Sequence, residues 1–403
     1  MTSASAPALR VAMIGYAFMG AAHSQAWRTA GHVAELPLRP EMAVVVGRHA
    51  EAVAGAADRL GWQESAVDWQ RVIERDDIDL VDICTPGDTH AEIAQAALAA
   101  GKHVLCEKPL ANTVAEAESM VAAAQRAPKL HAMVGFTYRR TPAVALARDL
   151  VADGTIGRVR QVRAQYLQDW LSDEQAPLTW RMDKEKAGSG ALGDIGAHII
   201  DAVEFVTGQR LTGVAGLTET FVKQRPIAAD GPSGSIVGGA AGTGYGPVTV
   251  DDAAVFFGRL ESGAIAAFEA SRFALGRKNA MRFEINGTEG SLAFDFESMN
   301  VLEHYDARRP AEASGFTRIL VTEPSHPYLS SWWPPGHGLG YEHGFTHQVI
   351  DLVRAIGAGT VARPSFADGL HVQRVLAAVE ASSAAESRWQ QIPVDSPVAE
   401  REN

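Results

Sequence analysis

The first 136 residues alternate short apolar runs with stretches of helical period, and that alternation leaves few folds open. Apolar runs stand at 9–14 (LRVAMI), 42–47 (MAVVVG), 80–84 (LVDIC), 103–106 (HVLC) and 131–136 (HAMVGF), with helical patterns such as Ala91 to Ala100 and Val114 to Arg126 between them. Strands separated by helices cannot pair as hairpins, so they pair in parallel with helices on both faces. The pattern predicts an α/β chain whose first domain, residues 8–136, is a doubly wound parallel sheet. A ligand in such a sheet sits at the carboxyl ends of the strands.

The run LRVAMIGYAFMG reads as strand, tight turn and a helix beginning near Met19, a turn whose backbone N–H groups face an anion. Gly15, Ala17 and Gly20 occupy the places of a Gly-x-Gly-x-x-Gly dinucleotide fingerprint, with Phe18 and Met19 between them. Ala17 departs from it: a methyl stands where backbone approaches the pyrophosphate most closely. After the second strand, Gly47 is followed by Arg48 and His49, and not by the acid that usually reads the adenosine ribose. Arg48 can meet a 2'-phosphate, stack on adenine, or simply be a solvated loop residue. NAD and NADP both stay open on the residues alone. Thr85, Pro86 and His90 follow the third apolar run, and Glu107-Lys108-Pro109 follows the fourth, all at the ligand-binding edge. A partly desolvated Lys108 can exchange protons near neutrality, although a surface lysine paired with Glu107 is the plain alternative.

From Thr137 the pattern changes. Runs at Val159 to Asp169, Ala253 to Leu260, Ala264 to Phe273, Ala280 to Asn286 and Ser291 to Phe296 succeed one another through turn signals such as Asn286-Gly287. They predict a second, α+β domain, residues 137–395, built on a large and mainly antiparallel sheet. Its Lys223 to Pro247 stretch, rich in Gly, Ala, Ser and Pro, reads as a long mobile loop.

The first helix of that domain lies in GSGALGDIGAHIIDAVEFVTG, residues 188–208, where Asp194, His198 and Asp201 fall at i, i+4 and i+7 and so predict one shared face. Ionisable groups seldom line a core without partners. Their plain alternative is a helix-capping Asp194 and a satisfied core histidine. Near the end, PSHPYLSSWWPPGHGLGYEHGFTH offers Trp332 and Trp333 as an apolar wall for a sugar ring. His343 and His347 are four apart, but the glutamate of a zinc-protease motif is absent after the first, so no metal is expected.

Composition narrows the partners. Among 403 residues, 48 acids outweigh 36 Lys and Arg, and the net charge of -12 opposes nucleic acid and anionic membranes. Two cysteines without regular spacing suggest neither disulfides nor zinc, and no apolar run nears the ~18 residues of a membrane span. A cytoplasmic protein is expected.

Three motifs now stand in order: Gly15-x-Ala17-x-x-Gly20, Glu107-Lys108-Pro109 and Asp194-x-Gly196-x-His198. Together they resemble the Gfo/Idh/MocA oxidoreductases, over nearly the whole chain. Within that family, SGALGDIGAH and the WWPPGH and GYEH segments look like the branch that oxidises sugars, inositols and anhydrosugars such as levoglucosan. The resemblance implies a Rossmann domain and a C-terminal sheet used in a homodimer or homotetramer. It also implies that Lys108 and His198 flank the reacting hydroxyl and that Asp194 helps hold substrate. Tyr138, Gln168 and Arg181 are further positions from which a side chain can reach the pocket.

The expected reaction moves hydride between a nicotinamide cofactor and a secondary hydroxyl of a sugar, anhydrosugar or cyclitol. A neutral Lys108 or a neutral His198 can take the alcohol proton; the strand-end position favours Lys108 without excluding His198. NAD is favoured over NADP because the branch is catabolic. A non-catalytic dinucleotide and sugar sensor, or a redox-assisted NAD-dependent glycosidase, are the competing readings.

Overall fold

Parallel pairing appears where the alternation demands it. The computed structural model describes residues 6–228 and 241–393. In it, strands β1 (Ala8–Ile14), β2 (Arg39–Val46), β3 (Glu64–Ala66), β4 (Leu80–Ile83), β5 (His103–Cys106) and β6 (Ala132–Val134) form one sheet in the order β3-β2-β1-β4-β5-β6. Every pair is parallel. Helices α1 (Phe18–Val33), α2 (Ala50–Leu60), α3 (Trp69–Ile73), α4 (His90–Ala99) and α5 (Val114–Arg126) connect them. The order reverses between β1 and β4, so their carboxyl ends open a crevice there. β3, only three residues long and half polar, escapes the apolar pattern because it is an edge.

Helix α6 (Pro142–Ala152) leads into β7 (Gln161–Leu167), followed by α7 (Lys184–Ala187) and α8 (Ala197–Thr207). The remaining strands are β8 (Leu211–Glu219), β9 (Gln224–Ala228), β10 (Ala241–Pro247), β11 (Ala253–Leu260), β12 (Ile265–Ser271), β13 (Ala280–Asn286), β14 (Gly290–Asp295), β15 (Val301–Asp306), β16 (Thr317–Leu320) and β17 (Gln390–Gln391). Eight of them join β7 in a second, nine-stranded sheet, β16-β15-β14-β13-β7-β12-β11-β8-β17, antiparallel except where β12 runs parallel to β7. That pair is joined by a long crossover through α8, the connection a parallel pair needs. Alternate residues of the sheet, among them Ala164, Phe256, Phe268 and Ile285, face α8 and α10 (Phe366–Ala384) across a continuous apolar core. Leu217, Val255, Phe257 and Ile265, from the opposite phase, are exposed on the outer face.

The C-terminal helices return to the first sheet. α9 (Tyr341–Ala358) packs on α1, α10 packs on α5 and β8, and Val134 N donates to Pro364 O at 2.9 Å. Ser365 and Asp368 close a reciprocal cap at the start of α10, satisfying N–H groups the helix cannot.

The Lys223 to Pro247 stretch differs from its expected form: β9 and β10 pair as an antiparallel ribbon. Its anchor is Arg225, whose buried guanidinium donates to the carbonyls of Leu171 and Asp173 at 2.7 and 2.6 Å. Small residues hide this strand pair from a hydrophobic-period reading, because a side chain that packs by polar anchoring leaves no apolar alternation. The middle of the stretch, residues 229–240, lies outside the described residues, as do residues 394–395 at the end of the expected second domain. Among the described residues no helix is long and apolar enough to cross a membrane.

Candidate active site

The carboxyl ends of β1, β4 and β5 and the inward side of β7 and β12 enclose a cavity of about 1040 Å³. At one end is the turn between β1 and α1. Gly15 has φ +100°, and a Cβ there would lie 2.7 Å from Cys84 O; a Cβ on Gly20 would lie 2.3 Å from Gly15 O. Only glycine permits this turn. Ala17 sits at the N-cap of α1 with φ -72° and is exposed, so its methyl is tolerated without strain. No side chain caps α1, and its first N–H groups remain for an anion. These residues fit the pyrophosphate of a dinucleotide. Phe18, Met19, Arg48, Thr85 and Pro86 line the same end, joined by His49, Val67 and Trp69, which the sequence reading did not select. Arg48 is exposed. His90 is buried; its two ring nitrogens lie 3.0 and 2.9 Å from the carbonyls of Pro109 and Thr85, so it ties two rim loops together.

Beneath this end, a buried His23 on α1 bridges two carboxylates. Its Nδ1 lies 2.9 Å from Asp82 Oδ1 and its Nε2 3.0 Å from Glu107 Oε1. Burial opposes a charge on the ring, but the Asp82 carboxylate outweighs it and holds the pKa well above 6.5. Glu107 therefore serves as an internal partner of His23 rather than of the Lys108 side chain, and links the cofactor helix to the strand end that carries Lys108.

Lys108 Nζ donates to Asp194 O at 2.8 Å and pairs with Asp194 Oδ1 at 3.4 Å. Asp194 stands in a π-helical turn, Leu192–Gly196, that precedes α8. That turn is capped from elsewhere: the Asp251 carboxylate accepts Gly190 N at 2.6 Å and Leu192 N at 2.8 Å. Asp194 is thus not the cap considered for it, and its carboxylate is left for the cavity. Burial raises its pKa, yet Lys108, Arg272 and Arg181 together prevail and bring it down to about 2. It is a carboxylate at any working pH.

His198 shares the cavity with Lys108 and Asp194. The ring of Tyr138 stands edge-on to it, with centroids 4.6 Å apart. Burial and the Lys108 charge push its pKa well below 6.5 against the pull of Asp194, so the imidazole is neutral. Its Nδ1 is buried without a hydrogen-bond partner. Tyr138 also meets Tyr166 through their hydroxyls at 2.5 Å, Tyr166 donates to Asn279 Oδ1 at 2.6 Å, and Gln168 donates to the same oxygen at 2.9 Å.

Two expected positions fall elsewhere. Asp201 does not join Asp194 and His198: it is 2% exposed and bound by Arg139, whose Nε lies 2.8 Å from Oδ2. Arg139 claims its carboxylate through both Nε and Nη2. Trp333 is 54% exposed and does not line this cavity. Trp332 is held away from it by donating to His347 Nε2 at 2.7 Å. That bond and the contact of His347 Nδ1 with Arg140 O at 3.0 Å occupy both nitrogens of His347, while His343 Nδ1 accepts from Gly340 N at 3.0 Å. His347 is thereby left no ring nitrogen for a metal.

Arg272, Trp170 and Trp180, not among the expected positions, line the same cavity as Arg181. The signal for Arg272 was available. It continues the inward phase of β12 after Ala266, Phe268 and Ala270, and a charge in that phase is out of place unless something meets it.

Comparison with known proteins shows the family. Residues 9–136 match the oxidoreductase family with an NAD-binding Rossmann fold, and residues 144–293 match the Gfo/Idh/MocA C-terminal domain. The chain is 42% identical to a levoglucosan dehydrogenase of Pseudarthrobacter phenanthrenivorans, over 96% of this chain and 98% of that one. A crystal structure of an oxidoreductase domain protein from Kribbella flavida superposes with a TM-score of 0.91 at 63% identity, over 96% of this chain and all (100%) of that one. A levoglucosan dehydrogenase in complex with NADH and levoglucosan superposes with a TM-score of 0.89 at 40% identity, over 96% and 100% of the two chains. On these matches the chain belongs to the Gfo/Idh/MocA family of oxidoreductases.

Proposed function

We propose that this chain oxidises a secondary hydroxyl of a sugar, with an anhydrosugar of the levoglucosan type as the foremost substrate and NAD as the cofactor. The observation that carries the reading is a neutral His198 beside the Lys108–Asp194 ion pair, in one cavity with the dinucleotide turn. Bound NAD supplies the hydride acceptor. Lys108, held by Asp194, donates to the substrate oxygen where negative charge develops. His198, being neutral, takes the hydroxyl proton. Asp194 accepts a hydrogen bond from a neighbouring hydroxyl and fixes the ring. The choice left open between Lys108 and His198 thus tips to His198 as proton acceptor. Support comes from the electrostatics of His198: burial and the neighbouring Lys108 both disfavour a charge on its ring.

The same reading divides the chain into a dinucleotide-binding unit, residues 8–136, and a substrate and assembly unit, residues 137–395. The exposed apolar row Leu217, Val255, Phe257 and Ile265 supports a homodimer or homotetramer formed through the large sheet. Light scattering on Phe257→Asp would read a smaller particle than wild type if so. Two buried free cysteines fit a cytoplasmic setting.

Purified protein is incubated with NAD and levoglucosan, glucose or myo-inositol while the absorbance of reduced nicotinamide is followed. Steady accumulation supports a dehydrogenase. Cleavage of a glycoside without accumulation would mean a redox-assisted glycosidase, and binding without either would mean a sensor.

A further inference from the structure

A second cavity, of about 340 Å³, lies apart from the dinucleotide cavity, and its volume is that of a small-molecule site. Helix α9 serves both: Tyr341, Gly344 and Phe345 line the first, and His347, Ile350 and Arg354 line the second. Two guanidinium groups line the second cavity, Arg148 of α6 and Arg354 of α9. Among the described residues neither makes a hydrogen bond or an ion pair. Arg148 is held over the Phe205 ring, 4.7 Å from its centroid, which leaves the edge of its fork for a ligand. The acids at hand do not neutralise them. Asp351, three residues before Arg354, accepts Arg140 Nε at 2.9 Å and the Tyr328 hydroxyl at 3.0 Å, and Asp149 lines the cavity without an ion pair to Arg148. Burial brings the His347 pKa down to about 4, so this residue adds no charge. A chain of net charge -12 thus keeps two unpaired cations beside one acid here.

The loop that completes the cavity carries backbone strain. Tyr328 has φ +66°, a left-handed conformation costly for a residue with a Cβ; its bond to Asp351 and its stacking on the His347 ring at 4.5 Å hold it there. Strain of this kind persists where surrounding structure fixes it, and it gathers at ligand clamps. Ser330 and Ser331 follow, with hydroxyls that have no partner among the described residues, and then the Trp332 indole, all lining the cavity. A carboxylate is satisfied by a single arginine fork. Two forks from different helices with two hydroxyls suit instead a group with three oxygens and about two charges, a phosphate. The indole gives an apolar face to a ring attached to it, so the sugar wall suggested by the sequence stands here and not in the dinucleotide cavity. We propose that this second cavity binds a phosphate monoester of a sugar, with Arg148, Arg354 and the two serines on the phosphate and Trp332 against the ring.

The test is calorimetry on the full chain with saturating NADH, which occupies the dinucleotide turn. The ligands are glucose 1-phosphate, glucose 6-phosphate, inorganic phosphate and glucose. At least one sugar phosphate should bind wild type about tenfold or more tighter than inorganic phosphate, since inorganic phosphate has no ring to set against the indole. Arg148→Gln and Arg354→Gln, each removing a charged donor, should each weaken that sugar phosphate about tenfold or more. Neither arginine has a hydrogen-bond partner to lose, so the thermal midpoint, the Kd for NADH and the rate of NAD reduction should stay those of wild type. Any binding of glucose alone should be the same in wild type and variants. Failure of both sugar phosphates to bind, or inorganic phosphate binding as tightly as they do, would overturn the proposal. So would sugar phosphate binding that either variant leaves unchanged, as a ligand held by Arg181 and Arg272 in the first cavity would be.

Discussion

Lys108→Met removes an ammonium and keeps the length of the stem, which makes it the sharpest probe of the proposed chemistry. Two of the three Nζ donors are directed at Asp194, at 2.8 Å to its carbonyl and 3.4 Å to its carboxylate, leaving one for the substrate oxygen. Losing a donor aimed at a developing oxyanion lowers kcat by about 10²- to 10³-fold, or about 2.7–4 kcal/mol. The dinucleotide turn is untouched, so the Kd for NAD should stay within about threefold. The pH profile carries the stronger argument. His198 must be neutral to accept a proton, so activity falls on the acid side where it protonates. Lys108 is one of the two causes that keep its pKa low. Removing that charge raises the pKa of His198, and the acid limb of kcat/KM should move to higher pH in the mutant. Stopped-flow and steady-state rates between acid and neutral pH check this. Turnover like that of wild type, or an acid limb that stays put or moves lower, would refute the assignment of His198 as acceptor with Lys108 beside it.

Asp194→Asn should raise the sugar KM or lower kcat without moving the thermal midpoint, because Asp251 and not Asp194 caps the π turn; a collapsed midpoint with normal kinetics would reverse that view. His23→Gln leaves Asp82 and Glu107 buried without their cation and should cost about 3–5 kcal/mol of stability, read by denaturant melts. The sign with pH follows from the raised value. In wild type the contribution of His23 is complete below the unfolded pKa near 6.5 and fades as pH climbs through the higher native one, so its loss should matter least in alkali. Arg48 is exposed at the cofactor end, and wild type should prefer NAD. If NADP wins on kcat/KM and Arg48→Ala abolishes that preference, Arg48 reads a 2'-phosphate.

The parallel sheet was legible because its inner strands are buried on both faces and appear as continuous apolar runs; β4 and β5 are buried almost throughout. The large sheet was legible for a different reason. Its strands alternate, as β11 does between buried and exposed positions, and turn residues separate them. β9 and β10 carry neither signal. Their place is set by Arg225 reaching three carbonyls, those of Leu171, Asp173 and Ala176, from another loop, a long-range arrangement with no local pattern.

The site was legible where backbone geometry dictates residue type and illegible where two distant segments meet. Gly15 and Gly20 announce a turn that no other residue can make. Lys108, Asp194 and His198 announce themselves as ionisable groups inside apolar patterns. Counting residues on from the third motif goes wrong at Asp201, because spacing does not show which distant partner claims a carboxylate. The π turn widens the helix before Ala197, and which carboxylate reaches the cavity is then decided by partners. Arg139 claims Asp201, and Asp251 relieves Asp194 of capping. Both partners lie more than 50 residues away in sequence. An insertion of this kind at an active site is a common use of the π turn, since it aims one side chain away from the regular face. From that turn Asp194 holds Lys108 Nζ twice, through its carbonyl at 2.8 Å and its carboxylate at 3.4 Å.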